Sequence, residues 1–210
     1  MPQAEFFPLK PMGCSKRYPS NPLDGKARMN DLFGIVIAGT WLLLAASIAK
    51  LIKPNYTTIA LRSAGIPVTN WLIRVGALSE LAICAGVLIP FNHKAGVAFL
   101  MLMAISYLGL GAFVAIAIVR DIPLSSCGCF GEVDSPPTVL HVIINCLYAL
   151  AIGIYALDTH GKSVFRISAG TGWSGAAVIA TSLVIAYLSY LALTELPRLL
   201  AVRRTIDSVK

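Results

Sequence analysis

The residues with the plainest chemistry are Cys127 and Cys129, separated by Gly128 in the segment Arg120–Thr138. Two thiols one residue apart close on each other only through a small, strained ring, and Gly128 gives the backbone the freedom to attempt it. Strained disulfides exchange readily, which suits them to passing electrons and makes them poor staples. Two other readings stand beside this one. A metal is the first, but zinc takes four ligands and usually C-x₂₋₄-C spacing, and His141 is the only further ligand nearby. An inert pair in a connecting loop is the second. The segment is longer than a bundle connection needs, and long ordered loops are disproportionately functional. Ser135 is placed to cap the helix that follows, with Pro136 at its first position.

A second set of candidates lies within apolar runs, where ionisable side chains are costly and so tend to serve a purpose. Arg74 and Glu80 belong to one run, His141 and Asn145 to another. Gly76, Glu80 and Cys84 fall at i, i+4 and i+8 and share a helix face, where the glycine would let a neighbouring helix come close. His141, Asn145 and Tyr148 form a polar stripe at i, i+4 and i+7. At ~1.5 Å per residue, Glu80 and Asn145 lie roughly 13 Å in from the cysteine loop, His141 roughly 8 Å and Arg74 roughly 5 Å. These depths suggest that Arg74, Glu80, His141 and Asn145 converge beneath the loop and hold a proton or a quinone headgroup. The plainer reading is that each fixes helix packing, since Arg74 and Glu80 stand about 120° apart around their helix. Cys84 and Cys146, inside spans, read as small hydrophobes. Cys14, His93 and His160 have no evident partner.

The elements that must carry these groups are long and apolar. Hydrophobic residues make up 57% of the chain and charged ones 13%, against about 25% charged in soluble domains. Continuous runs of about 20 residues match the hydrocarbon thickness, and they occur at Leu32–Ile52, Trp71–Ile89, Ala95–Val119, Val139–Leu157 and Trp173–Leu196, the last stopped by Pro197. None alternates with period two, so a barrel is excluded. The expectation is an all-α integral membrane protein, a four-helix bundle plus a fifth C-terminal helix. A basic leader (1–31), loose or interfacial, precedes a membrane domain (32–157) holding the loop 120–138, and a connecting loop, the fifth helix and a basic tail follow (158–210). The net charge of +7 sits at chain ends and between apolar runs, where it meets anionic lipid headgroups, so nucleic acid is not the expected partner. Trp71 and Trp173 suit interfacial anchoring, and the Lys/Arg bias over the first four spans favours a cytoplasmic N-terminus with the cysteine loop outside. The basic residues after Leu196 run against that bias.

Cys127-Gly128-Cys129-Phe130-Gly131 ahead of the fourth apolar run, Arg74 and Glu80 in the second, and Leu61-Arg62-Ser63-Ala64-Gly65-Ile66-Pro67 leading into it together resemble the MauE family, related to the DoxX-like membrane proteins. The resemblance covers roughly residues 32–157. It implies a four-helix membrane bundle linked to thiol–disulfide chemistry, with a thioredoxin-like partner and, in methylamine users, support for maturing a disulfide-rich periplasmic dehydrogenase subunit. Two functions follow. The first is a membrane thiol–disulfide component in which Cys127 and Cys129 exchange with the partner and electrons continue to a quinone. The second is a non-catalytic membrane anchor or assembly subunit of an oxidoreductase complex. A transporter is disfavoured by the lack of inverted repeats.

Overall fold

The computed structural model describes residues 22–89, 92–122, 130, 137–158 and 173–208. Among them the chain is helical throughout, with six helices and no strand: α1 (Pro22–Ile52), α2 (Pro54–Ser63), α3 (Asn70–Leu88), α4 (His93–Val119), α5 (Val139–Asp158) and α6 (Trp173–Ser208). Five of these, all but α2, are long and apolar enough to cross a bilayer. In hydrocarbon every backbone N–H and C=O must be satisfied within the segment, and an uninterrupted helix does that. Apolar side chains turn outward on every face, among them Ile105, Leu147, Leu150 and Leu188, as a lipid-facing surface requires. The chain is a multi-pass membrane protein.

The helix ends are well signalled. Thr69 and Asn92 cap α3 and α4, accepting hydrogen bonds from Leu72 N–H (3.5 Å) and Ala95 N–H (3.0 Å). The short α2 was not expected, being too short and too polar to read as a span, yet both its ends are written in the sequence. Pro54 occupies its first turn. At the other end Gly65 takes a left-handed φ of +81°, while Ile66 N–H bonds Leu61 C=O and Gly65 N–H bonds Arg62 C=O, the double closure of a Schellman turn. Asp121, at φ +47°, ends α4 the same way through Ile122 N–H to Ala117 C=O.

Helix α1 is central and packs against α3, α5 and α6. Tyr107 of α4 donates to the Gly39 carbonyl of α1 at 2.6 Å and stacks on Tyr148 of α5, ring centroids 5.2 Å apart. Gly39 lets that happen, since a Cβ there would lie 3.0 Å from the Tyr148 ring.

Three expectations are corrected. Helix α1 starts at Pro22, so the last ten residues of the basic leader extend the first helix. The described part of α5 starts at Val139 rather than at Pro136; Ser135 and Pro136 lie outside the described residues. Helix α6 does not stop at Pro197 but runs on to Ser208. A proline removes one N–H from the ladder, and the hydrogen bonds on either side carry the helix past it.

The course of α6 follows from its contacts. Leu193 lines a cavity with His141, near the start of α5, and Tyr190 meets Phe130 of the cysteine loop edge to face, centroids 5.2 Å apart. Helix α6 therefore traverses the bundle, and its basic end emerges on the side of that loop. Arg198, Arg203 and Arg204 then join Lys53, Arg62 and Arg120 there, which offsets the charge bias read from the first four spans.

The α3–α4 hairpin yields a test. A Cβ at Gly86 would sit 2.4 Å from the Phe99 ring, whereas one at Gly109 would meet nothing within 4 Å. Gly86→Ala should cost ~1–3 kcal/mol through overpacking. Gly109→Ala should be neutral or stabilise by up to ~1 kcal/mol through the unfolded chain. Reversible unfolding in mixed micelles measures both, and equal effects would contradict the packing described.

Candidate functional site

Glu80 is held by α1. Lys50 Nζ lies 2.7 and 2.8 Å from its two carboxylate oxygens, and Ser47 Oγ is 3.0 Å from Oε2. Both charged side chains are largely buried, at 7% and 16% exposure. The pairing joins residues at different depths, because Lys50 is two residues from the end of α1 while Glu80 is ten into α3. Cα–Cβ bonds tilt toward a helix's N-terminus. In this antiparallel pair the tilt sends Lys50 deeper and brings Glu80 shallower, so they meet.

The other expected members lie elsewhere. Arg74 is exposed and lines a cleft with Ile52, Asn55 and Asn70 where α1 turns into α2. Its position 120° around α3 from Glu80 is the reason. His141 and Asn145 are buried, with Tyr148 on the same stripe. They line a cavity of about 20 Å³ with Tyr107, Leu110 and Phe130. The four candidates thus do not form one cluster, and Leu110 separates the Glu80 region from the His141 region by lining both. Gly76 is corrected as well: it faces open space and not a neighbouring helix.

His141 is locked by the start of its own helix. Its Nδ1 is 2.9 Å from Thr138 Oγ1 and 3.4 Å from Thr138 N, and its backbone N–H bonds Thr138 C=O. Nε2 is buried and has no hydrogen-bond partner among the described residues. A cavity of this size holds about one water molecule, so the nitrogen has room for a small polar guest. Phe130, the next residue in the chain after Cys129, forms part of the same wall. Cys127 and Cys129 themselves lie outside the described residues.

Of the remaining cysteines, Cys84 is buried with its Sγ 3.8 Å from the Thr40 carbonyl of α1, and Cys146 is exposed on α5. They occupy different helix interfaces. Among the described residues there is no group of three or more His, Cys, Asp or Glu arranged to hold a metal.

Sequence reasoning missed Lys50 and Ser47, which read as the edge and filling of the first span. The signal was present: Thr40, Ser47 and Lys50 fall seven and three residues apart, on one face of α1.

The ion pair gives the second test. Removing one partner of a buried pair leaves a charge uncompensated, at ~3–5 kcal/mol, while removing both is nearly neutral. Lys50→Met and Glu80→Met should each destabilise by about that much, and the double variant should recover most of it. Additive losses in the unfolding cycle would mean the two charges are not coupled.

A family model described as methylamine utilisation protein MauE matches residues 29–158. Neither the curated proteins nor the solved structures gave a match.

Proposed function

The chain belongs to the MauE family of methylamine utilisation membrane proteins, and from that premise we propose that it is a membrane thiol–disulfide component acting through Cys127 and Cys129. In this reading the pair exchanges with a thioredoxin-like partner on the extracytoplasmic face of the plasma or inner membrane. The client is a protein of the methylamine dehydrogenase type whose disulfides mature there. Electrons balance within the exchange: two thiols of one protein become a disulfide as the disulfide of the other becomes two thiols, through a mixed-disulfide intermediate.

The observation that carries the reading is the seating of Phe130. The residue that directly follows Cys129 lines the same small cavity as a buried imidazole whose Nε2 has no partner among the described residues. Thiol exchange needs a thiolate, and an imidazole is the group that most readily takes or returns a proton near neutral pH. His141 is thus given a proton-handling role beneath the loop, with Asn145 beside it, donating to the His141 carbonyl at 2.7 Å.

One observation favours the second reading, a non-catalytic membrane subunit. Cys84 and Cys146 are both free and lie in separate interfaces, so neither supplies the other half of an internal relay.

Trapping of thiols in intact cells separates the two. With a membrane-impermeant maleimide, Cys127 and Cys129 should label only after reduction, and Cys127→Ser or Cys129→Ser should capture a mixed disulfide with a second protein. His141→Gln should slow that capture by ten-fold or more without changing the fold. Thiols that stay reduced and capture nothing, or that react only once the membrane is opened, would put the anchor reading first.

A further inference from the structure

Helices α3 and α4 are joined by a short connection and pack on each other. At the end where they are joined they are pinched tight, Gly86 lying against the Phe99 ring. Ten residues toward the other end, Gly86 leads to Gly76 on α3 and Phe99 leads to Gly109 on α4. In an antiparallel pair these two glycines stand at the same level, ~15 Å from the pinch. A Cβ at either would meet nothing within 4 Å, and both line a cavity of about 390 Å³. Phe113 and Leu110 of α4 and Leu72 of α3 supply apolar wall, and α2 lies across one side. Lys50 and Glu80 also line it, so an apolar chamber has one charged, net-neutral spot.

The chemistry of this chamber selects its guest. Leu72 and Gly76 are exposed on the lipid-facing surface of α3, so a ligand enters from the bilayer and must be apolar over most of its body. Glu80 lies ten residues into α3, roughly 15 Å from its end, about half the thickness of the hydrocarbon core. A phospholipid phosphate belongs at the interface, and its negative charge would face the Glu80 carboxylate. A neutral head with carbonyl oxygens suits the spot, accepting from the Lys50 ammonium, and its reduced form would donate to Glu80. A flat ring lies well against Phe113.

We propose that the chamber between α2, α3 and α4 binds a quinone, its ring between Gly76 and Gly109 and its carbonyl toward Lys50. The proposal keeps Glu80 from the expected headgroup set and puts Lys50 in place of Arg74, His141 and Asn145. It deepens the thiol–disulfide reading by naming an electron acceptor. Closing the Cys127–Cys129 disulfide releases two electrons and two protons, and a quinone takes up both to become the quinol.

Binding is tested apart from activity. Full-length protein in lipid nanodiscs is incubated with a photoreactive decyl-tailed benzoquinone, irradiated, and the labelled peptides are mapped, with and without excess unlabelled decylbenzoquinone. Labelling should be saturable, displaced by competitor, and located on α3 and α4. Gly109→Leu and Gly76→Leu fill the chamber from opposite walls into open space, and each should lower displaceable labelling at least ten-fold with the helical signal unchanged. Should one of them fail to fold, the other carries the test. The Cys127→Ser/Cys129→Ser double variant should label like the parent, so a failure of the thiol reading leaves binding intact. Labelling that is not displaced, or that persists in the filled variants, overturns the site. So does a photoreactive phosphatidylcholine that labels the chamber as strongly and is lost in the same variants, since that marks a lipid cleft.

Discussion

A carboxylate in the hydrocarbon layer must be neutralised, and the structure of this protein is arranged around how Glu80 achieves that. A charge in the middle of a helical span costs at least ~2.5–3.5 kcal/mol, and Lys50 at 2.7 Å removes the need to bear it. The lysine comes from near the end of its helix, so α1 and α3 must be held in one axial register for the pair to close. Helix α2 provides that register. Thr58 Oγ1 and Asn55 Oδ1 both bond the Asn70 side chain, each at 2.7 Å, which pins the start of α3 to the segment that follows α1. The short polar helix absent from a hydropathy reading is thus the brace that keeps the deepest charge paired.

Glycines divide the bundle into a tight half and an open half. At Gly39, Gly86 and Gly111 an added Cβ would meet a neighbouring helix within 3.3 Å, namely the side chains of Tyr148, Phe99 and Asn145. Those contacts join α1, α4 and α5 into one block, with Tyr107 bonding α1 and stacking on α5, and they attach α3 at one end. At Gly76 and Gly109 the same residue type faces space. Small residues in membrane helices are usually read as contact points, and here two of them are the reverse. What separates the cases is the partner's size at the same level, a ring opposite Gly86 and a second glycine opposite Gly76.

That distinction marks the limit of what the sequence disclosed. The five spans, the buried stripe of His141, Asn145 and Tyr148, and the family kinship were legible because each rests on local periodicity or a short motif. The partner of Glu80 was not, since pairing across two helices depends on axial offset and Cβ tilt, and neither is encoded in spacing along one helix. The convergence of four polar residues failed for a related reason. A shared range of depths does not imply proximity, because depth fixes only one coordinate, and Arg74 lies on another side of α3 from Glu80. Pro197 follows the last residue of the apolar span, so it marks where the span ends and not where helix α6 ends. Gly65 and Pro54 marked α2 plainly, and only its low hydropathy hid it.

Helix α4 is the element both regions share. Tyr107 and Leu110 line the His141 cavity, while Gly109, Leu110 and Phe113 line the larger chamber. Because α4 packs more extensively on α5 than on α3, a guest in the chamber meets one firmer wall and one more yielding wall. Filling the chamber would therefore act on α3, and through Glu80 on Lys50 and the end of α1, rather than on the Tyr107–Tyr148 block. The His141 cavity belongs to that block, roofed by Phe130 and closed by Leu193 of α6. An arrangement of this kind holds the His141 imidazole in a small closed pocket while the chamber beside α3 stays open. It makes the rigidity of one side and the looseness of the other two consequences of where the glycines fall.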